Sequence, residues 1–397
     1  MRILEITPYF LPFLGGVEYH SYYICKELKK LGAEITIVCS NHLKKNKNKK
    51  VTELFKGLKI KRVPVSFNLF NTPISLNFLP TLLKQRFDVI HAHIPSPFPA
   101  LMGVFTKIIT KKPLIITYHN DIGGIGGIAK LGAWLYNKTI GAFILSQADK
   151  IIATSPIYLK NSPWLSKWKK KTVIIPNGVD LKIFKPENSQ HNKSLQIRTK
   201  HKDKKIIFFM ASLGPYKRYK GVEILIQSAK IIKEKYGEDF VIIVGGEGEL
   251  KKEYMQLSKK LGLEKMVSFP GFITDEDLPY YYGACDLSVL PSTSVWEGFG
   301  LVLVEAMASN KPVIGSNIGG IPYAIGKGGI LAEPKNPKDL GNAVSSILND
   351  NKLARSLATQ GRKRVQEKFN WEIIGTNTIN LFEQIIERKR RRKRGRK

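Results

Sequence analysis

Residues 206–248, IIFFMASLGPYKRYKGVEILIQSAKIIKEKYGEDFVIIVGGEG, decide the fold. The run 206–210 is short and apolar throughout, the pattern of a strand buried on both faces. Residues 222–236 carry helical periodicity. The run 240–244 is a second apolar strand and ends in Gly245-Gly246-Glu247-Gly248. Short apolar strands separated by helices indicate a parallel sheet covered by helices on both faces.

The same rhythm continues on both sides. Downstream, 267–269 and 286–290 read as strands, 301–309 as a helix and 312–315 as a strand. Upstream, 181–205 breaks it: KPENSQHNKSLQIRTKHKDKK (185–205) is polar and reads as a linker. Before the linker the alternation is present again. RILEIT (2–7) is a strand, 17–31 a helix capped by Gly32, and EITIVCS (34–40) a second strand. FDVIHA (87–92), PLIITY (113–118), KIIAT (150–154) and 173–175 are further strands. The expected fold class is therefore α/β, with two Rossmann-like doubly wound domains facing each other across a cleft. The expected boundaries are an N-terminal domain 1–180, a linker 181–205, a C-terminal domain 206–375, and a helix end with basic tail over 376–397. The cleft between two such domains is the usual place for a ligand.

Composition narrows the class. In 397 residues there are 64 Lys+Arg against 32 Asp+Glu, and 43% of residues are hydrophobic. That much apolar content excludes global disorder. Cys25, Cys39 and Cys285 are far apart and form no CxxC pair, so no disulfide scaffold is expected. No apolar run approaches the ~20 residues of a membrane span, and the N-terminus reads as a strand rather than a signal peptide. These features imply a cytoplasmic chain and make the sequons at Asn137 and Asn192 incidental. The segment 388–397, RKRRRKRGRK, holds nine basic residues, yet the rest of the chain stays strongly basic without it. Such a surface favours anionic membrane, nucleic acid or phosphorylated substrate. The lysine run 44–50 reads as a solvated loop.

Four segments carry chemistry. In EGFGLVLVEAMA (297–308), two carboxylates bracket a glycine-rich and then apolar interior. Gly298 and Gly300 let backbone approach a ligand, and the helix starting near Leu301 aims free N–H groups at the same place. Glu297 and Glu305 suit the paired hydroxyls of sugar or ribose. In SLGPYKRYKGV (212–222), cations precede a helix start, which suits pyrophosphate. Arg218 can fork two oxygens and Lys220 supplies a point charge, although a solvated basic loop fits equally well. PFLGGVE (12–18) is again a glycine turn before a helix. His119 ends a strand at the sheet's edge, where an imidazole could meet a sugar hydroxyl. His91-Ala92-His93 raises the question of a metal, but no carboxylate or cysteine cluster lies near it in sequence. GGIGG (123–127) lacks dinucleotide-fingerprint spacing and reads as a loop.

Together these segments resemble glycosyltransferase family 4, retaining enzymes of the GT-B fold. The resemblance spans about residues 1–375. It rests on PFLGGVE, TYHN around His119, IIPNGVD (174–180), YKRYKG (216–221), and EGFGLVLVEAMA followed by KPVIGSNIGGIP. It implies transfer of a hexose-type sugar from a UDP- or GDP-linked donor to a hydroxyl of a glycan or lipid-linked acceptor, with no cofactor and no essential metal. It implies catalytic roles for His119, Arg218, Lys220 and Glu297. Gly16 would lie by the donor phosphate. Phe299, Gly300 and Leu301 would offer backbone donors, and Glu305 would bind ribose. Two positions depart from the pattern: Ser212 stands where many members have Arg, and Tyr323 stands where relatives often have Glu. The basic tail adds the expectation of peripheral attachment to the cytoplasmic face of a membrane, with no specific nucleic acid partner. A polyanion-binding protein with a degenerate site remains an alternative, as does an epimerase or phosphorylase on the same fold.

Overall fold

The structure is a computed structural model and describes residues 1–12, 15–41, 49–69, 72–123, 126–202 and 204–394. Phe13 and Leu14 of PFLGGVE, most of the 44–50 lysine run, Gly124 and Ile125 of GGIGG, and the last three tail residues lie outside the described residues. The chain forms two compact units, Met1–Gly178 with Trp371–Lys397, and Val179–Asn370.

The first unit is built on an eight-stranded sheet. Its strands are β1 (Arg2–Ile6), β2 (Glu34–Ser40), β3 (Val51–Phe55), β4 (Leu58–Val63), β7 (Val89–Ile94), β8 (Leu114–Tyr118), β9 (Lys150–Ala153) and β10 (Thr172–Ile174), and a separate hairpin is made by β5 (Phe67–Leu69) and β6 (Thr72–Ile74). The sheet order is β10-β9-β8-β7-β1-β2-β4-β3, parallel except where β3 runs antiparallel to β4. The apolar runs read from sequence are buried because both faces carry core. The strand order reverses between β7 and β1, a switch point where ligands of such sheets bind beyond the carboxyl ends.

The second unit has a six-stranded parallel sheet in the order β13-β12-β11-β14-β15-β16. These strands are β11 (Lys205–Met210), β12 (Phe240–Gly245), β13 (Val267–Gly271), β14 (Leu287–Leu290), β15 (Val313–Ser316) and β16 (Gly329–Ala332). In chain order this is 3-2-1-4-5-6, the dinucleotide-binding topology, and its switch point lies between β11 and β14.

Two boundaries differ from the sequence reading. The stretch expected as a linker holds a 3₁₀ turn (Pro186–Gln190) and a helix (Asn192–Lys200) inside the second unit. Polar bonds hold them there. Ser194 Oγ donates to the Asn188 and Tyr280 carbonyls, and Arg198 pairs with Asp286 at 2.6 Å. The terminal helix runs through the basic segment as Trp371–Arg394 and belongs to the first unit. Its apolar residues Trp371, Ile374 and Phe382 are buried in that unit's core, against the Gly16–Lys30 helix.

Candidate active site

In the second unit the loops after β11 and β14 meet at the switch point. Lys220 ends the 3₁₀ turn Pro215–Lys220, and its Nζ lies 2.6 Å from Glu297 Oε2. Ser292 Oγ donates to the same oxygen at 3.0 Å. Burial works to lower the Lys220 pKa, but the Glu297 carboxylate outweighs it and holds the ammonium above its ordinary value. Gly221 makes this approach possible. Its φ is +81°, and a Cβ there would lie 1.9 Å from the Pro291 carbonyl oxygen. On the other side, the Gly320 N–H donates to the Glu297 carbonyl at 2.8 Å, and a Cβ on Gly320 would sit 1.9 Å from the Gly298 oxygen. The GGIP motif thus fixes the backbone of EGFG.

The helix Leu301–Ala308 starts beside this pair. Its N-cap is Gly300 with φ +82°, and no side chain caps it. Its first N–H groups and the positive end of its dipole suit an anion. The Phe299 side chain is buried in edge contact with Phe369 at 5.3 Å, so its backbone is what it can offer a ligand. Leu301 is half-buried. Glu305 lies deeper in the same helix and is buried, with Tyr282 Oη donating to its Oε2 at 3.0 Å. Burial pushes its carboxyl up to about 8.

Arg218 is not part of this group. Its guanidinium is exposed and pairs with Glu223 at 2.7 Å and with Glu253. Ser212, where many members of the resembled family have arginine, is itself exposed. Tyr323 lies against Phe369, with the Arg364 guanidinium 5.5 Å from its ring centre. Ser292 and Tyr282, which hold the two glutamates, were not singled out from sequence. Nothing in their local spacing marks them.

The first unit carries a second cluster at its own switch point. Glu5 on β1 is fully buried and accepts from His91 Nδ1 at 2.8 Å, His93 Nε2 at 2.6 Å and Ser21 Oγ at 2.8 Å. Burial disfavours its charge, but His91 and His93 outweigh that and hold the carboxyl far below its ordinary range. His91 Nε2 meets Thr117 Oγ1 at 2.7 Å, and His93 Nδ1 meets His119 Nε2 at 3.0 Å. With His93 Nε2–H given to Glu5, a neutral His93 accepts at Nδ1, so His119 donates from Nε2. Burial pushes the His119 pKa well down, helped by His20 and His93. His20 packs edge-on against His119 with ring centres 4.8 Å apart, and burial brings its pKa down to about 3.

Here the sequence reading needs correction. A carboxylate does lie beside His91-Ala92-His93, supplied by β1. Its signal was a lone acid among the apolar residues that follow Arg2 in β1, facing two histidines of one strand face. Glu5, His91 and His93 bring ligand atoms within 4.8 Å of one another, as do His20, His93 and His119. Both sets could hold a metal by distance. In the first set every such atom already has a partner within the set. Gly16, the first residue of the Gly16–Lys30 helix, has open space where a Cβ would stand.

Comparison with known proteins agrees with both units. Residues 14–183 match the family Glycosyltransferase Family 4, and residues 191–364 match Glycosyl transferases group 1. The chain is 28% identical to the O-antigen chain mannosyltransferase C of Escherichia coli, over 81% of this chain and 83% of that one. It is 25% identical to a phosphatidylinositol N-acetylglucosaminyltransferase subunit of Saccharomyces cerevisiae, over 97% and 83%. The fold matches Anabaena HepE, solved in complex with UDP and glucose, with TM-score 0.75, 20% identity, and 97% and 100% of the two chains covered. With two Rossmann-like units, a lysine–glutamate pair at the switch point of the second and both family matches in register with them, the chain belongs to glycosyltransferase family 4 and is a GT-B transferase.

Proposed function

We propose that this enzyme moves a hexose-type sugar from a UDP- or GDP-linked donor to a hydroxyl of a glycan or lipid-linked acceptor, with retention of configuration. The observation that carries the reading is the Lys220–Glu297 pair at the β11/β14 switch point, beside an uncapped helix start. A departing nucleoside diphosphate needs positive charge where its own charge develops. Lys220 is already charged and held in place by Glu297. When phosphate arrives, Lys220 turns a hydrogen bond to it and Glu297 is released to accept from a sugar hydroxyl. The N–H groups at Gly300 and Leu301 add donors at no reorganisation cost. Glu305, once ionised, accepts from the ribose hydroxyls. Arg218 joins the phosphate only by leaving Glu223 and Glu253. Gly16 is assigned to the donor phosphate and His119 to the transferred sugar. With lysine and helix dipole supplying the charge, the reading calls for no metal.

The yeast relative's name, a phosphatidylinositol glycosyltransferase subunit, supports a lipid-linked acceptor. The HepE complex with UDP and glucose supports a UDP-sugar donor. The test is release of nucleoside diphosphate and formation of glycoside from UDP- and GDP-hexoses with lipid-linked and free glycan acceptors. Product formation that falls at least about tenfold in Lys220→Met supports the reading. Unchanged turnover in that variant overturns it.

A further inference from the structure

Three histidines from three elements converge at the carboxyl end of the first unit's sheet. His20 comes from the Gly16–Lys30 helix, His93 from β7, and His119 directly follows β8. They bring ligand nitrogens within 4.8 Å of one another. His93 Nδ1 and His119 Nε2 are already 3.0 Å apart. Two imidazole nitrogens on one tetrahedral zinc ion sit roughly 3.3 Å apart, so this pair has only to open slightly. His20 and His93 are buried and His119 is half-buried, so an ion enters from the His119 side.

The atoms around the His20 ring point the same way. His20 Nδ1, Asn177 Oδ1 and Trp371 Nε1 are buried and have no hydrogen-bond partner among the described residues. The Trp371 ring centre lies 5.5 Å from that of His20, and the Asn177 side chain acts on the same imidazole. Buried polar atoms are normally paired, so orphans gathered around one ring call for an ion or a water. A metal ion with one bound water answers all three: the imidazole lone pair binds the metal, and the water gives a hydrogen bond to Asn177 and takes one from Trp371.

Glu5 favours the ion. It is fully buried and accepts from His93 Nε2 at 2.6 Å. A carboxylate behind a ligating histidine fixes its tautomer and orients the other nitrogen toward the metal. Three imidazoles suit zinc, copper or nickel rather than the oxygen-loving magnesium or calcium. The protons balance without a change of charge on any ring. In the metal-free chain His119 donates from Nε2 to His93 Nδ1. With metal bound, that proton moves to His119 Nδ1, and both nitrogens of the pair turn lone pairs on the ion.

We propose that His20, His93 and His119 bind a divalent transition-metal ion of the zinc class, and that the bound ion slows sugar transfer by turning His119 Nδ1 from an acceptor into a donor. Transfer itself calls for no metal, so the ion acts as an inhibitor. The inhibition rests on the reading that His119 meets the transferred sugar; the metal site does not.

The experiment titrates the untagged full chain with zinc chloride by calorimetry, uses cobalt(II) as an optical stand-in, and measures transfer with and without zinc. UDP and GDP are titrated on the same preparations. Wild type is expected to bind one zinc ion per chain and to give the visible absorption of tetrahedral cobalt. His20→Gln should lose at least about tenfold in zinc affinity, and the exposed control His191→Gln should lose none. Zinc should slow wild-type transfer and a chelator should restore it. His20→Gln, measured against its own metal-free rate, should require about tenfold more zinc for the same loss. Imidazole ¹⁵N shifts of wild type decide the site if the variant does not fold: zinc should move His20, His93 and His119 and leave His191 and His201 in place. No zinc bound by wild type, equal affinity in a folded His20→Gln, or shifts confined to the other histidines overturns the metal site. Zinc held by the three histidines with transfer unchanged overturns the inhibition. Zinc binding without UDP or GDP binding leaves the metal site standing and overturns the donor reading instead.

Discussion

Lys220 Nζ and Glu297 Oε2 stand 2.6 Å apart although 77 residues separate them in the chain. The first follows β11 and the second follows β14, adjacent strands whose crossover connections go to opposite sides. Both side chains are largely shielded, at 18% and 7% exposure. Removing one charge strands the other, and breaking a buried pair of this kind costs about 3–5 kcal/mol. Lys220→Ala is therefore expected to lower the denaturation midpoint as well as turnover. Lys220→Met/Glu297→Gln should recover most of the stability and none of the turnover. Urea melts beside initial rates separate the two effects. Recovery of rate in the double variant would show that the pair is only structural.

Glu305 gives a pH dependence. Its folded value of about 8 lies above the ordinary 4.5. Between those values the folded protein holds a proton that the unfolded chain has lost, so this group takes stability away as pH rises through that window. The gap in melting temperature between Glu305→Gln and wild type should therefore move in the variant's favour from pH 5 to pH 8. In the proposed role, Glu305 accepts from ribose hydroxyls in its ionised form. Nucleotide affinity should rise with pH towards 8, with proton release seen as a buffer-dependent calorimetric enthalpy. Both trends should vanish in Glu305→Gln. A flat wild-type profile would remove Glu305 from the ribose site.

The Glu5 network predicts a tautomer. His119 should carry its proton on Nε2 because His93, committed to Glu5, accepts at Nδ1. Imidazole ¹⁵N shifts report this directly. Glu5→Gln removes the charge that both strand histidines face, should cost about 3–5 kcal/mol, and should mix the His119 tautomers. A pure Nδ1–H His119 in the wild type would refute the network.

Two glycines should behave oppositely. Gly221→Ala forces a Cβ onto the Pro291 carbonyl at positive φ, so it should destabilise the second unit and displace Lys220, with turnover down at least about tenfold. Gly16→Ala meets open space, so its melting temperature should match wild type. A raised donor KM at unchanged stability would then mark Gly16 as a place where ligand approaches backbone. An unchanged KM would release it from that role.

The strands were legible because each is an unbroken apolar run, and sheets covered on both faces demand that pattern. Lys220 and Glu297 stood out in the sequence because glycines follow each of them ahead of a helix start. The helix Asn192–Lys200 was not, since polar bonds to Asp286 and Tyr280 hold it and it carries almost no apolar stripe. The carboxylate partners of Arg218, Glu223 and Glu253, were not legible because nothing in the sequence marks them as its neighbours. Glu5 went unnoticed because its partners lie 86 and 88 residues away on the neighbouring strand.

The most direct test of the central claim is calorimetric titration of the full chain with UDP, GDP and ADP beside Lys220→Ala. The account predicts that UDP or GDP binds and that the variant loses at least about tenfold in affinity. Equal binding by wild type and variant, or no binding of any nucleotide to wild type, would contradict it.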